Sequence, residues 1–206
     1  MTAPPVGVVL YGPPASGKNT ITAALHRHDP RFRLLPKLKV GTGRADGYEF
    51  ITAERLDELR RRGRLLLETH RYGNVYAVDH QHIEDMTAAG QVPVAHMGNI
   101  ADLRRFIGNT PDAWLRVLLW VRRRVTARRS RERGDADTAA RLRAWDETLD
   151  DVTTNTDEGF FHLRLYTDGL DVEAAASEIM NAFHALAKAA DRTHHQPESA
   201  AVHREG

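Results

Sequence analysis

Residues 12–20 constrain this chain more than any other segment. They read Gly-Pro-Pro-Ala-Ser-Gly-Lys-Asn-Thr and lie between an apolar run, 6–11, and a helical pattern, 20–28. A glycine-rich turn between a strand and a helix directs several backbone N–H groups at one anion, and its lysine reaches the outer phosphates. We therefore expect a phosphate-binding loop (P-loop, residues 12–20). The residues expected to contact the nucleotide are Gly12, Pro14, Ala15, Ser16, Gly17, Lys18, Asn19 and Thr20.

The residue after the lysine departs from the usual pattern. A serine or threonine normally stands there and presents its hydroxyl to Mg²⁺, whereas this chain has Asn19. Two alternatives follow: Asn19 holds the metal through a bound water, or Thr20 supplies the hydroxyl after a small shift of the helix start. The expected cofactors are ATP and Mg²⁺.

Composition excludes several classes of protein. The chain has 206 residues, which suits one domain, and its net charge of +1 gives no general electrostatic case for nucleic acid. It contains no cysteine, so neither a disulfide framework nor a thiolate zinc site is expected. The N-terminus lacks the apolar core of a secretory signal, and no apolar stretch approaches the ~18 residues that cross a bilayer. We expect a cytoplasmic enzyme.

Strand and helix patterns alternate along most of the chain. The predicted strands are 6–11, 65–67, 92–95, 115–121 and 162–166, and the predicted helices are 20–28, 53–62, 82–89, 101–107, 122–133, 137–150 and 172–189. Such alternation indicates an α/β fold with a parallel sheet covered on both faces. We expect one domain over 1–190. Residues 191–206 are polar and are predicted to form a disordered tail.

Three further segments resemble the guanylate kinase family. They are Asp-Gly-Tyr-Glu-Phe-Ile-Thr at 46–52, Arg-Gly-Arg-Leu-Leu at 62–66 and Tyr-Gly-Asn-Val-Tyr at 72–76, in matching order and spacing. The resemblance implies a three-layer P-loop kinase fold with an acceptor-binding insert at about 36–80. It also implies that Tyr48 and Tyr76 bind the phosphate of the acceptor.

Basic residues precede the first of these segments. Lys37, Lys39 and Arg44 together can neutralise a phosphate dianion, and Arg44 can do so with two parallel hydrogen bonds. We count all three as candidate acceptor ligands. The alternative interpretation is a solvated strand and turn.

Arginines are concentrated in residues 122–134. Their spacing, together with an Arg-Leu pair at 141–142, resembles the lid of the same family, which implies a lid at about 126–145. The resemblance implies that Lys18 and three lid residues stabilise the transferred charge, namely Arg129, Arg133 and Arg141. No motif position accounts for the others, which are predicted to lie on the helix surface: Arg122, Arg123, Arg124, Arg128, Arg131 and Arg143. RNA binding is an alternative interpretation of this run, but the run contains no stacking aromatics.

The family's guanine-binding acids are missing. Leu67, His96 and Gly98 occupy their positions, so specificity for GMP is not expected. Glu68 would reach the base only through a bulge, because strand alternation sends neighbouring side chains to opposite faces. The ribose 1,5-bisphosphate phosphokinases look similar, since they too lack these acids and carry a polar, non-serine residue after the lysine. His96 either donates to the acceptor or is a buried structural histidine.

The sequence therefore predicts an ATP-dependent kinase that moves the γ-phosphoryl group to a small phosphorylated acceptor. Either GMP-like nucleotides or sugar phosphates would serve, and His96 or Glu68 becomes the base only if the acceptor group is a hydroxyl. The alternatives are a non-catalytic guanylate-kinase-like binding module and an RNA-binding protein. Neither nucleic acid nor a membrane is an expected partner, and the oligomeric state stays open.

The segment 165–168 is expected either near the donor adenine or as a cap for the helix beginning near Asp171.

Overall fold

The computed structural model describes residues 5–43, 45, 47–71, 73–110, 113–134 and 138–194. Its strands are β1 Pro5–Tyr11, β2 Phe32–Leu34, β3 Lys37–Val40, β4 Tyr48–Phe50, β5 Leu65–Arg71, β6 Asn74–Asp79, β7 Val92–Met97, β8 Ala113–Trp120 and β9 Leu163–Tyr166. Its helices are α1 Lys18–His28, α2 Ala53–Arg61, α3 His80–Ala88, α4 Ile100–Asn109, α5 Arg123–Glu132, α6 Thr138–Asn155 and α7 Val172–His194.

The main sheet has the strand order β2-β7-β1-β8-β9, and every neighbouring pair in it is parallel. Alternate residues of β1 point to opposite faces: Val8 and Leu10 pack with α1 and α7, whereas Val9 and Tyr11 pack with α4. A parallel sheet needs this double cover because both of its faces are apolar. The predicted three-layer α/β fold is confirmed.

The strands that form the main sheet differ from those predicted from the sequence. The run 65–67 was expected in the parallel sheet, but β5 belongs to a second sheet with the order β4-β3-β6-β5, and β2 takes the edge of the main sheet. Only residues 72–73 connect β5 to β6, so the two strands pair antiparallel, with Arg71 opposite Asn74. An apolar run alone does not reveal which sheet a strand joins. Helix α2 covers one face of this second sheet through Leu56 and Leu59.

Side chains cap the N-termini of several helices. Thr52 accepts from the backbone N–H of Arg55 at the start of α2, and Asn99 accepts from that of Asp102 at the start of α4.

Helix α7 continues to His194, four residues into the predicted tail, and 195–206 lie outside the described residues. Among the described helices, none combines the length and hydropathy that crossing a membrane requires.

Candidate active site

The P-loop joins the end of β1 to the first residue of α1. Gly17 at the helix N-cap has φ 93°, and Ala15 also has a positive φ, 60°. A Cβ on Gly12 would lie 2.2 Å from the carbonyl oxygen of Leu119, so no larger residue fits beside β8. Residues in such conformations turn consecutive N–H groups inward and form a concave anion site.

Lys18 lies folded back over this loop. Its ammonium donates to the carbonyl oxygen of Gly12 at 2.5 Å and to that of Pro13 at 3.2 Å, and it lies 3.4 Å from the hydroxyl of Ser16. Burial and the neighbouring charge of Lys37 lower the pKa of Lys18 to about 8. A bound phosphate would offset both effects, because it supplies the opposite charge.

The helix start distinguishes the two candidate metal residues. Helix α1 begins at Lys18, so the helix start is not shifted by one residue, as the Thr20 alternative requires. Asn19 therefore occupies the position where the usual pattern has its serine or threonine. Asn19 lines a small cavity of about 110 Å³ beside Lys37 and His96, whereas Thr20 lines the cavity beneath the lid. An amide oxygen suits Mg²⁺, which commonly takes one or two protein ligands and completes its shell with phosphate and water oxygens. The two residues thus line different spaces, Asn19 beside the cationic Lys37 and Thr20 beside Ser16 and Gly17 of the P-loop.

A cavity of about 310 Å³, the donor cavity, lies between the P-loop, α5 and the start of α7. Its lining residues are Ala15, Ser16, Gly17, Thr20, Ile21, Arg129, Glu132, Arg133, Thr167, Leu170, Val172 and Ala175. Arg129 spans it, donating to the carbonyl oxygens of Ala15 at 2.8 Å and Thr167 at 2.6 Å. One guanidinium thus connects the lid helix, the P-loop and the turn after β9.

The third lid arginine faces a different space. Arg141 lines the central cleft, a cavity of about 570 Å³ that also includes Gly12, Pro14 and Lys18. This cleft shares four lining residues with a further cavity in the second sheet: Thr69, Arg71, Gly98 and Asn99. The two spaces therefore adjoin, and the P-loop lysine lies in the first of them.

The cavity in the second sheet, which we call the acceptor cavity, has a volume of about 220 Å³. It is lined by both predicted tyrosines, Tyr48 and Tyr76, whose ring centroids are 5.3 Å apart. Lys39 is buried, and its ammonium lies 5.2 and 5.6 Å from the same two ring centroids. Since Lys39 is not a lining residue, it stabilises the tyrosine pair by cation–π contact rather than facing the cavity.

Lys37, on the same strand as Lys39, lines the acceptor cavity directly. Within the described part of the chain, its ammonium has no hydrogen bond and no ion pair. Burial lowers the pKa of Lys37 to about 8, although the negative charge of Asp102 opposes this shift. Lys37 is half-buried, and a cation that faces a cavity without a hydrogen-bond acceptor favours an anionic ligand there. Arg44, the third predicted cation, lies outside the described residues.

Comparison with known proteins identifies the architecture. The sequence matches no protein-family model and no curated protein. Guanylate kinase from Anaplasma phagocytophilum superposes with a TM-score of 0.59 at 15% identity, covering 90% of this chain and 87% of that chain. The chain has the P-loop kinase fold. A gluconokinase from Sinorhizobium meliloti 1021 aligns over 95% of this chain and all of its own, with a TM-score of 0.50 at 15% identity. At such identities the likeness concerns the fold alone.

Within this P-loop kinase fold, Leu67 and Glu68 face opposite sides of β5. Leu67 lines the acceptor cavity, whereas Glu68 forms an ion pair with Arg60 of α2, with N–O distances of 2.9 and 3.0 Å. The register shift between Leu65 and Leu67 does not bring Glu68 into the cavity. Glu68 was a candidate acceptor ligand, and the structure separates it from the other candidates.

His96 has a partner in the core. Its Nε2 lies 2.8 Å from the hydroxyl of Thr22 on α1. Burial and the charges of Lys18 and Lys37 lower the pKa of His96 to about 3, so the imidazole stays neutral at physiological pH. Such a group is too weak a base to take a proton from a hydroxyl, which leaves its hydrogen bond to Thr22 as its observed role.

Sequence reasoning missed a polar group in the acceptor cavity. Asp102 is 8% exposed, and its Oδ2 accepts from the hydroxyl of Thr69 and the amide of Asn99, both at 2.8 Å. The spacing Asn-x-x-Asp directly after β7 is an N-cap signal that would have placed Asp102 in the first turn of α4. Arg71 was also missed; it lines both the acceptor cavity and the central cleft.

Several other arginines of the lid region pair with acids. Arg122 pairs with Asp168, Arg123 with Asp146 and Arg128 with Glu132. These pairs agree with the predicted surface role. Asp168 accepts from the backbone N–H of Arg122, and Asp171, rather than Asp168, caps α7 by accepting from Ala174.

Proposed function

We propose that this protein is an ATP-dependent kinase that transfers the γ-phosphoryl group to a small phosphorylated acceptor. One observation carries the proposal: the central cleft, which contains Lys18 of the P-loop, shares lining residues with the acceptor cavity, which contains Lys37. Among the described residues, the ammonium of Lys37 has no hydrogen-bond partner. A binding site for one phosphate alone would not need two such spaces in contact.

The proposed reaction needs little covalent help. An oxygen of the acceptor phosphate forms a bond to the γ-phosphorus while the bond from that phosphorus to the β–γ bridging oxygen breaks, and ADP leaves. Lys18 and the lid arginines Arg129, Arg133 and Arg141 neutralise the charge on the transferring group. A Mg²⁺ held by Asn19 and the donor phosphates would add a Lewis acid. No general base is required when the nucleophile is a phosphate oxygen.

Three residues are proposed to hold the acceptor's own phosphate. The phenols of Tyr48 and Tyr76 donate to it, and Lys37 supplies the opposite charge. Arg71 lies where the acceptor cavity meets the central cleft. We therefore propose that Arg71 contacts the oxygens of the phosphoryl group that is transferred from donor to acceptor. Fixing both phosphates reduces the entropy of bringing them into line.

The names of the two structural neighbours are those of kinases with different small acceptors, a nucleotide and a sugar acid. A non-catalytic binding module is the second candidate, but it would not need a loop lysine beside a lid arginine. We propose a cytoplasmic site of action, in line with the absence of cysteine.

The test is ADP release from ATP and Mg²⁺ with nucleoside monophosphates and sugar phosphates supplied one at a time. We expect turnover with at least one acceptor. Lys18→Ala should abolish it while the circular dichroism spectrum stays unchanged. Exposed Lys188, on α7, is the matched control, and Lys188→Ala should turn over like the wild type. Equal turnover by Lys18→Ala and the wild type would contradict the proposal.

A further inference from the structure

The acceptor cavity contains a carboxylate that no motif in the sequence assigned. Asp102 lies in the first turn of α4, and its side chain lines the cavity beside Lys37. Its two oxygens have different surroundings. Oδ2 accepts two hydrogen bonds, from Thr69 and Asn99, whereas Oδ1 accepts none among the described residues and lies 3.8 Å from the guanidinium of Arg105.

This difference limits what Asp102 can recognise. A carboxylate oxygen has two lone pairs, so Oδ2 is saturated and Oδ1 remains as an acceptor. The N1–H and N2–H₂ edge of guanine presents two parallel donors, which fit a carboxylate with both oxygens available. A sugar hydroxyl, or two neighbouring hydroxyls converging on one oxygen, fits Oδ1 alone.

Two further features disfavour a guanine base in this cavity. First, Leu67 is apolar and Gly98 has no side chain, so the described lining residues include no second carboxylate. Second, the guanidinium of Arg71 lies 3.6 Å from the point where a Cβ on Gly98 would be. The charged side chains among the described lining residues are therefore two cations, Lys37 and Arg71, and one carboxylate, Asp102.

We infer that Asp102 is the residue that determines acceptor specificity, accepting from a hydroxyl of a small polyhydroxylated phosphate and not from a purine base. This inference rests on the proposed function, since it assumes that the cavity holds the acceptor. Thr69 and Asn99 are positioning residues, because their hydrogen bonds hold Oδ2 and leave Oδ1 as the oxygen able to accept from a ligand.

The experiment measures binding by titration calorimetry in the presence of a non-hydrolysable ATP analogue and Mg²⁺. The probes are ribose 5-phosphate, glucose 6-phosphate and glycerol 3-phosphate, the matching deoxy sugar phosphates, and GMP. We expect at least one polyhydroxylated phosphate to bind at least tenfold tighter than its deoxy analogue and than GMP. In Asp102→Asn, that preference should fall about 10- to 100-fold while the affinity for the ATP analogue stays unchanged.

Two variants control for structure. Asp85→Asn, on α3 away from the cavity, should keep the wild-type preference. Asp102→Glu keeps the charge, and it should retain part of the preference even if Asp102→Asn folds poorly. An unchanged preference in Asp102→Asn, or GMP binding tighter than every sugar phosphate, would overturn the inference and leave the kinase proposal standing. If the ATP analogue binds but no probe binds or releases ADP, both proposals fail.

Discussion

Arg129 joins three parts of the fold, and its replacement gives the sharpest structural prediction. Its guanidinium donates to the carbonyl oxygens of Ala15 and Thr167, at 2.8 and 2.6 Å. Each hydrogen bond from a charged donor contributes about 1.5–3 kcal/mol to stability. We take the lower value for each of these two bonds because the Arg129 side chain is partly exposed. Arg129→Ala should therefore lower the free energy of unfolding by about 3 kcal/mol. For a chain of this size that corresponds to a decrease in Tm of about 6–12 °C.

The assay pairs thermal denaturation with turnover. Arg128→Ala is the matched control, because the Arg128 side chain is 62% exposed and only contacts Glu132 at 3.6 Å on the same helix. We expect the control to shift Tm by less than about 2 °C. Arg129→Ala should also decrease kcat by about 10²-fold, since it removes charge stabilisation in the donor cavity. Arg129→Lys should be intermediate, because one ammonium cannot reproduce the fork. Equal Tm and kcat for Arg129→Ala and Arg128→Ala would refute this reasoning.

Four further predictions concern the loop and the acceptor cavity. Gly12→Ala should abolish binding of an ATP analogue and destabilise the fold by about 1–3 kcal/mol, because its Cβ would overlap a strand carbonyl; unchanged binding in calorimetry would contradict this. Lys39→Met should raise the acceptor KM several-fold and leave the ATP affinity unchanged, since it removes the cation beneath the tyrosine pair; an altered ATP affinity would count against this assignment. Affinity for the ATP analogue should fall from pH 7 to pH 9, because Lys18, with a pKa of about 8, loses its proton over that range; a flat profile in calorimetry would count against the assignment of Lys18 to the phosphates. Leu67→Glu should raise ADP release with GMP about tenfold by restoring a carboxylate to the cavity, and no response would mean that the cavity has diverged more widely.

Local patterns predicted most of the fold. Each of the apolar runs expected as strands forms one, and the P-loop lies between β1 and α1 as expected. Four strands were not predicted: β2, β3 and β4, whose three or four residues carry too little periodicity to stand out, and β6 of six residues. The assignment of β5 to the parallel sheet was wrong, since pairing depends on the two-residue turn that follows it and not on the run itself.

The site was predictable where a motif fixes a position along the chain. Tyr48 and Tyr76 are far apart in sequence and lie on strands that β3 separates, yet their rings pack together, and the resemblance named both as candidate acceptor ligands. Asp102 was not found, because its position depends on how α4 meets β5, a tertiary contact through Thr69 that no local spacing encodes. Lys37 and Lys39 looked equivalent in sequence, and only the packing of aromatic rings around Lys39 distinguishes them.

The central claim is that a nucleoside triphosphate binds to the backbone amides of residues 12–18. A crystal structure of the protein with a non-hydrolysable ATP analogue and Mg²⁺ tests this most directly. The account predicts the β- and γ-phosphates within hydrogen-bond distance of the loop amides and of the Lys18 ammonium, with the base in the donor cavity. An empty loop, or a triphosphate bound at another surface, would contradict it.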